Sequence, residues 1–202
     1  MTGISRGRRS RASRFCLAVV GAAAAAACGG RARTRAAAEP STVRMIPLTT
    51  AIVLETSGPP PSDTTVEFIT GERRTIVLRH GPPENVEFAE VSFFPRAFGD
   101  SGRAVKVEVR PRPGVYGLDL IASVPLVQEA VVTFKYARYF SAPARARQAY
   151  GSDVAYERAL HVGQVILSGP FLAFLPSTRP AADNLQAPVP TAGTYLVAAP
   201  DK

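Results

Sequence analysis

Gly99-Asp100-Ser101-Gly102 sets a serine hydroxyl between glycines, and a serine so placed can attack an acyl carbon when a histidine takes its proton. An aspartate must in turn orient that histidine. The upstream histidine, His80, stands in the run LRHGPP, and Arg103 follows Gly102. FGDSGR therefore reads as a turn between strands: Asp and Ser bond the local backbone, and Gly supplies a positive φ. No catalytic residue is predicted.

Metal chemistry fares no better. His80 and His161 are the only histidines, without a His-x-x-x-His spacing, whereas a catalytic zinc takes about three protein ligands. Asp100, Asp119, Asp153 and Asp183 lack an Asp-x-Asp run, and calcium wants about six or more oxygens. These acids read as solvated turn residues, and neither metal nor cofactor is expected. One stretch, 138–150, mixes Arg138, Arg145 and Arg147 with Tyr139, Phe140 and Tyr150. Arginine beside aromatics is the composition of an interface. Arg138, Tyr139, Arg145, Arg147 and Tyr150 are therefore the expected contact surface; a wet loop with its aromatics folded inward is the alternative.

The formal charge of +8 invites a nucleic-acid partner until the charge is located. Eight arginines lie within residues 1–35, and residues 36–202 hold 16 basic and 16 acidic residues. A reader of phosphate backbones needs a net basic folded face, so nucleic acid is disfavoured.

The elements that must position these residues are short β-rich runs punctuated by Gly and Pro. Residues 49–55 (TTAIVLE) form an apolar strand, and Gly58-Pro59-Pro60-Pro61 a stiff break. Residues 65–70 and 75–79 flank Gly71-Glu72-Arg73 as a hairpin. In 86–93 the apolar phase changes, and a bulge near Ala89-Glu90 would turn Val86, Phe88, Val91 and Phe93 all inward. Val105, Val107 and Val109 alternate with Lys106, Glu108 and Arg110, a strand with one wet face. Residues 118–122 and 130–139 continue the series. Residues 144–150 (ARARQAY) prefer helix, and Val154, Tyr156, Leu160 and Val162 alternate as another strand. Residues 164–168 and 171–175 follow, then a loop spaced by Pro176, Pro180, Pro188 and Pro190, then a closing strand at 194–198. Around ten strands and almost no helix predict an all-β fold, a single antiparallel β-sandwich. The tyrosines and phenylalanines spread through it read as core. A chain of this length buries roughly two thirds of its surface without disulfides, and the only cysteines, Cys16 and Cys28, precede the domain.

Ahead of the domain, Arg6, Arg8, Arg9, Arg11 and Arg14 stand without an acid before the apolar run LAVVGAAAAAAC. About a dozen residues fit the apolar region of a secretory signal and fall short of the roughly 20 that a spanning helix needs. A cytosolic helix is the alternative, and Arg8-Arg9 raises twin-arginine export. The expected organisation is a signal peptide with its helix at 1–27, a flexible tether at 28–44 and the β-sandwich at 45–202.

Ala25-Ala26-Ala27-Cys28-Gly29 resembles the lipobox of bacterial lipoproteins, with Ala25 in the place of the usual leucine. The resemblance implies that Cys28 becomes the first mature residue and carries the lipid. Plain cleavage, before Cys28 or at Ala36-Ala37-Ala38, would instead release the protein. Gly193-Thr194-Tyr195-Leu196-Val197 is similar to the Gly-x-Tyr strand of immunoglobulin-like sandwiches, where the tyrosine hydroxyl ties a corner to the backbone. VSFFPRAF at 91–98, then VKVEV, then Val115-Tyr116-Gly117-Leu118 and 130–134, resembles a ZU5-like β-domain in order. That family implies protein–protein contact and scaffolding. Some of its members self-cleave at His-Phe-Ser; Tyr139-Phe140-Ser141 lacks the histidine, so no self-cleavage is expected.

Together these readings predict an exported, lipid-anchored envelope protein. Its non-catalytic sandwich would serve an interaction, structural or adhesive role toward another envelope protein. The alternatives are a periplasmic or surface module binding a small molecule or carbohydrate, and a hydrolase with an unrecognised site.

Overall fold

The structure, a computed structural model, describes residues 44–166 and 168–202. The expected signal peptide, Cys28 and all but the last residue of the tether lie outside these. No helix among the described residues is long and apolar enough to cross a membrane.

The chain enters through β1 (Met45–Pro47), a 3-10 turn at Leu48–Thr50, β2 (Ala51–Val53) and β3 (Glu55–Thr56). Then come β4 (Thr64–Ile69), β5 (Arg74–Arg79), β6 (Glu87–Phe93), β7 (Ala104–Pro111), β8 (Gly117–Ala122) and β9 (Ala130–Lys135). A 3-10 turn at Ala137–Tyr139 and β10 (Phe140–Ser141) lead into two helices, α1 (Ala144–Tyr150) and α2 (Asp153–Arg158). The chain closes with β11 (His161–Ile166), β12 (Phe171–Phe174), β13 (Asn184–Val189) and β14 (Gly193–Pro200).

Every paired strand is antiparallel. One sheet runs β1-β12-β11-β14-β8-β7-β4, with β2 beside the last residues of β14; the other runs β13-β9-β6-β5; β3 and β10 make a small ribbon. The fold is an all-β sandwich. In β7, Val105, Val107 and Val109 are buried while Lys106 and Arg110 are exposed, as their alternation requires. The interior is aromatic: Phe88 stacks on Tyr116 with centroids 5.1 Å apart, and Phe93 lies 5.2 Å from Phe98. A second apolar cluster, Ile46, Leu172, Phe174 and Leu196 among it, forms on the outer face of the large sheet. Gly163 makes room there, since a Cβ on it would sit 2.6 Å from Leu172 Cγ.

Four expectations need correction. Gly71-Glu72-Arg73 does not close a hairpin, because β4 and β5 belong to different sheets. The backbone of Thr70 pairs instead with the 99–103 turn, through Thr70 N–H to Arg103 O and Gly102 N–H to Thr70 O, both 2.9 Å. This extends β4 along β7 and sends the chain across to the other sheet. Second, 153–158 is helix and not strand: Ser152 Oγ accepts from Ala155 N–H at 3.2 Å, and Asp153 lies in the first turn. That cap outweighs the two-residue alternation of Val154 and Tyr156. Third, the register slip in β6 lies one or two residues earlier than expected: Leu78 faces Ala89 while Arg79 faces Glu87, which leaves Phe88 as the extra residue. Phe88, Val91 and Phe93 are buried, and Val86 is half-buried before the strand begins. Fourth, the proline-spaced loop contains β13. Pro188 is admitted because β13 is an edge strand, paired with β9 on one side and, among the described residues, met on the other only by the bridge from Thr178 to Gln186.

Candidate functional site

Ser101 lies in an exposed turn whose Gly99 and Gly102 take φ of 93° and 85°, and Thr70 Oγ1 donates to Asp100 O at 2.6 Å. His80 is far from the state of a working base: it is 1% exposed and walled in by Tyr139, Phe88 and Tyr116. Its Nδ1–H donates to Pro59 O at 2.7 Å, and Nε2 has no hydrogen-bond partner among the described residues. No group of three His, Cys, Asp or Glu side chains is placed to hold a metal among the described residues. Asp119 accepts from Arg112 and Thr194, and Asp153 from Arg147.

The expected contact residues are distributed, and their charges are used within the chain. Arg138 and the Tyr139 hydroxyl both bond Glu84, the first through two nitrogens at 2.8 and 2.5 Å. Arg145 grips Asp201 and the carbonyl of Thr49, and Arg147 pairs with Asp153 at 2.9 Å. Tyr150 donates to Pro200 O at 2.5 Å. Of the five, Tyr150 alone lines an open groove of about 640 Å³; Arg145 lines a separate hollow.

That groove lies where α2 runs into β11, β12 ends and β14 leads out to the last residues. Local sequence builds its helical wall. Gly151 takes φ of 74° and ends α1, with its N–H bonded to Arg147 O, and Ser152 caps α2 immediately afterwards. Tyr156, fully buried, donates to Ile52 O at 3.1 Å and fastens α2 to β2. Arg179 bonds the carbonyl of Glu157 and the Tyr136 hydroxyl, which holds the end of α2 in place.

Phe174 and Leu175 are buried at the groove's base, with Ala155, Ala159, Pro176 and Pro200 completing the apolar lining. Arg44, Arg158, His161 and Lys202 stand exposed around it. Lys202 Nζ lies 4.2 Å from the centroid of the Tyr150 ring. Arg44, Arg158 and Lys202 have no acidic partner within ion-pair distance among the described residues. The acids nearest in sequence are committed elsewhere: Glu157 accepts from Tyr136, and Asp201 from Arg145.

His161 is exposed, but partial desolvation of its ring, 5.7 Å from that of Phe174, lowers its pKa from its ordinary value, and Arg179 and Arg44 push it the same way. Ser177 is the one hydroxyl in the lining that could make a nucleophile with it. Its Oγ donates to Leu175 O and accepts from Val162 N–H, both at 2.9 Å, and so staples the strand entry. The arrangement can bind and orient a ligand. These lining residues come from 44, 150–161, 174–177 and 200–202, with no motif or spacing to mark them in the sequence.

The chain matches no family model, no curated protein and no solved structure.

Proposed function

We propose that this is an exported protein held at the cell envelope through lipid on Cys28, and that its non-catalytic sandwich acts as a binding module whose recognition site is the groove. The observation that carries the reading is the contrast in how charge is used. Arg138, Arg145 and Arg147 are satisfied within the chain, while Arg44, Arg158 and Lys202 surround a concave apolar surface with no acidic side chain in its lining. A groove of about 640 Å³ falls within the roughly 300–1,000 Å³ of small-ligand sites. This favours ligand binding over a flat contact with another envelope protein through the 138–150 stretch.

Export and anchoring rest on the arginine-led apolar run and the lipobox resemblance at Cys28. Each methylene of an acyl chain buried in a membrane contributes about 0.8 kcal/mol, so several chains make a lasting anchor. The test is expression of the wild type and Cys28→Ser in a bacterial host, followed by fractionation. The wild type should partition to membranes, and the variant should leave them or remain unprocessed. Equal membrane association and equal mature mass would overturn the anchor.

A further inference from the structure

We propose that the groove is a site for a small organic anion, one with a carboxylate or phosphate head and an apolar body. The proposal rests on the binding-module reading and gives its site a ligand class.

Charge and shape each exclude alternatives. The lining has no Asp, Glu, Asn or Gln, the side chains that would bind a cation or satisfy the hydroxyls of a sugar. It offers instead two guanidiniums and an ammonium, which donate hydrogen bonds and cannot accept them. The acids that might have quenched them are occupied: Asp201 accepts from two nitrogens of Arg145, Asp153 is paired with Arg147, and Glu157 accepts from Tyr136. Phe174 and Leu175 share the lining with the exposed cations and supply an apolar base, where a purely ionic ligand would waste burial. Arg44 lines the groove together with Tyr150 and His161. An anion bound there gains charge-assisted hydrogen bonds, and its body covers apolar surface.

The walls are fixed, so the site need not be assembled by the ligand. Tyr150 is tied to Pro200, Ser177 to Leu175 and Val162, and α2 to Ile52 and Arg179. A preformed site loses less to ordering when it is filled.

The test is titration calorimetry of the full chain with octanoate, octyl phosphate, 1-octanol and inorganic phosphate. Octanoate or octyl phosphate should bind with one-to-one stoichiometry. 1-Octanol and inorganic phosphate should each bind at least about tenfold more weakly than the amphipathic anion. Arg44→Ala and Arg158→Ala should each weaken the anion about tenfold, and Arg73→Ala, exposed on the loop before β5 and outside the lining, should leave it unchanged. Both arginines are exposed and unpaired among the described residues, and circular dichroism of each variant confirms that the sandwich persists. Equal binding of octanol would overturn the role of charge, and equal binding of inorganic phosphate the role of the apolar base. No binding by either octyl anion, or binding unaffected by Arg44→Ala and Arg158→Ala, would overturn the site. These results are independent of fractionation: a failed titration leaves the envelope assignment standing, and a cytosolic, unprocessed chain leaves the titration standing.

Discussion

The Tyr150 hydroxyl donates to the carbonyl of Pro200 at 2.5 Å, so the last turn of α1 is fastened to the end of β14. The same ring lies under Lys202 and forms part of the groove wall. Tyr150→Phe keeps the ring and the cation above it but deletes the bond. A loss of about 1 kcal/mol in unfolding free energy is expected by urea denaturation, with an unchanged slope. Tyr150→Ala, which also removes the ring, should cost more and should widen the groove.

Gly163 on β11 lies against Leu172 on the outer face of the large sheet, where an added Cβ meets the Leu172 side chain at 2.6 Å. Gly163→Ala should destabilise the protein by about 1–3 kcal/mol through overpacking. The double variant Gly163→Ala/Leu172→Ala should lose less than the sum of the two single changes, because the second makes the room that the first needs. Additive losses in thermal or chemical unfolding would show that the two side chains do not compete for space.

Glu84 joins the loop ahead of β6 to Arg138 and Tyr139. Hydrogen bonds from Arg138, then from Tyr139, hold its carboxyl at about 2, below the ordinary 4.5. A carboxylate with a depressed folded pKa adds stability above its unfolded value and loses it as pH falls through the folded one. The stability difference between wild type and Glu84→Gln should therefore be constant above about pH 5, shrink below 4.5 and vanish toward pH 2. The pair is exposed, so added salt should reduce the difference as well.

His161 has the opposite charge type and the same direction of shift. Burial first, then Arg179 and Arg44, lower its pKa from 6.5. The folded state prefers the neutral ring, so its contribution is complete above about pH 6.5 and is lost as pH falls through the folded value. An NMR titration of the His161 ring should give a midpoint below 6.5, and Arg44→Ala should move it upward without restoring the full value, since burial persists. A wild-type midpoint at or above 6.5 would contradict this electrostatic picture of the groove.

Much of the sandwich is legible in the chain because a strand with one wet face writes its own pattern. Val105, Val107 and Val109 are the plainest case, and ARARQAY shows α1 at 144–150. On β14 the Tyr195 hydroxyl donates to Thr191 O at 2.5 Å, a local bond. Where reading fails, a local contact outweighs a weak period. Val154 and Tyr156 alternate like a strand, but Ser152 and Asp153 cap a helix there. Gly71-Glu72-Arg73 has hairpin composition, yet the partner of Thr70 lies 30 or more residues away. The groove was invisible for a deeper reason. Arg44, Arg158 and Lys202 are ordinary surface bases until the fold brings them together and engages the nearby acids elsewhere.

The most direct measurement is the intact mass of the wild-type protein recovered from each fraction of a bacterial host. A membrane-bound species that begins at Cys28 and is heavier than its polypeptide by the mass of attached lipid is the expected result. An unprocessed polypeptide without lipid, confined to the cytosol, would contradict the proposed assignment of this domain to the envelope.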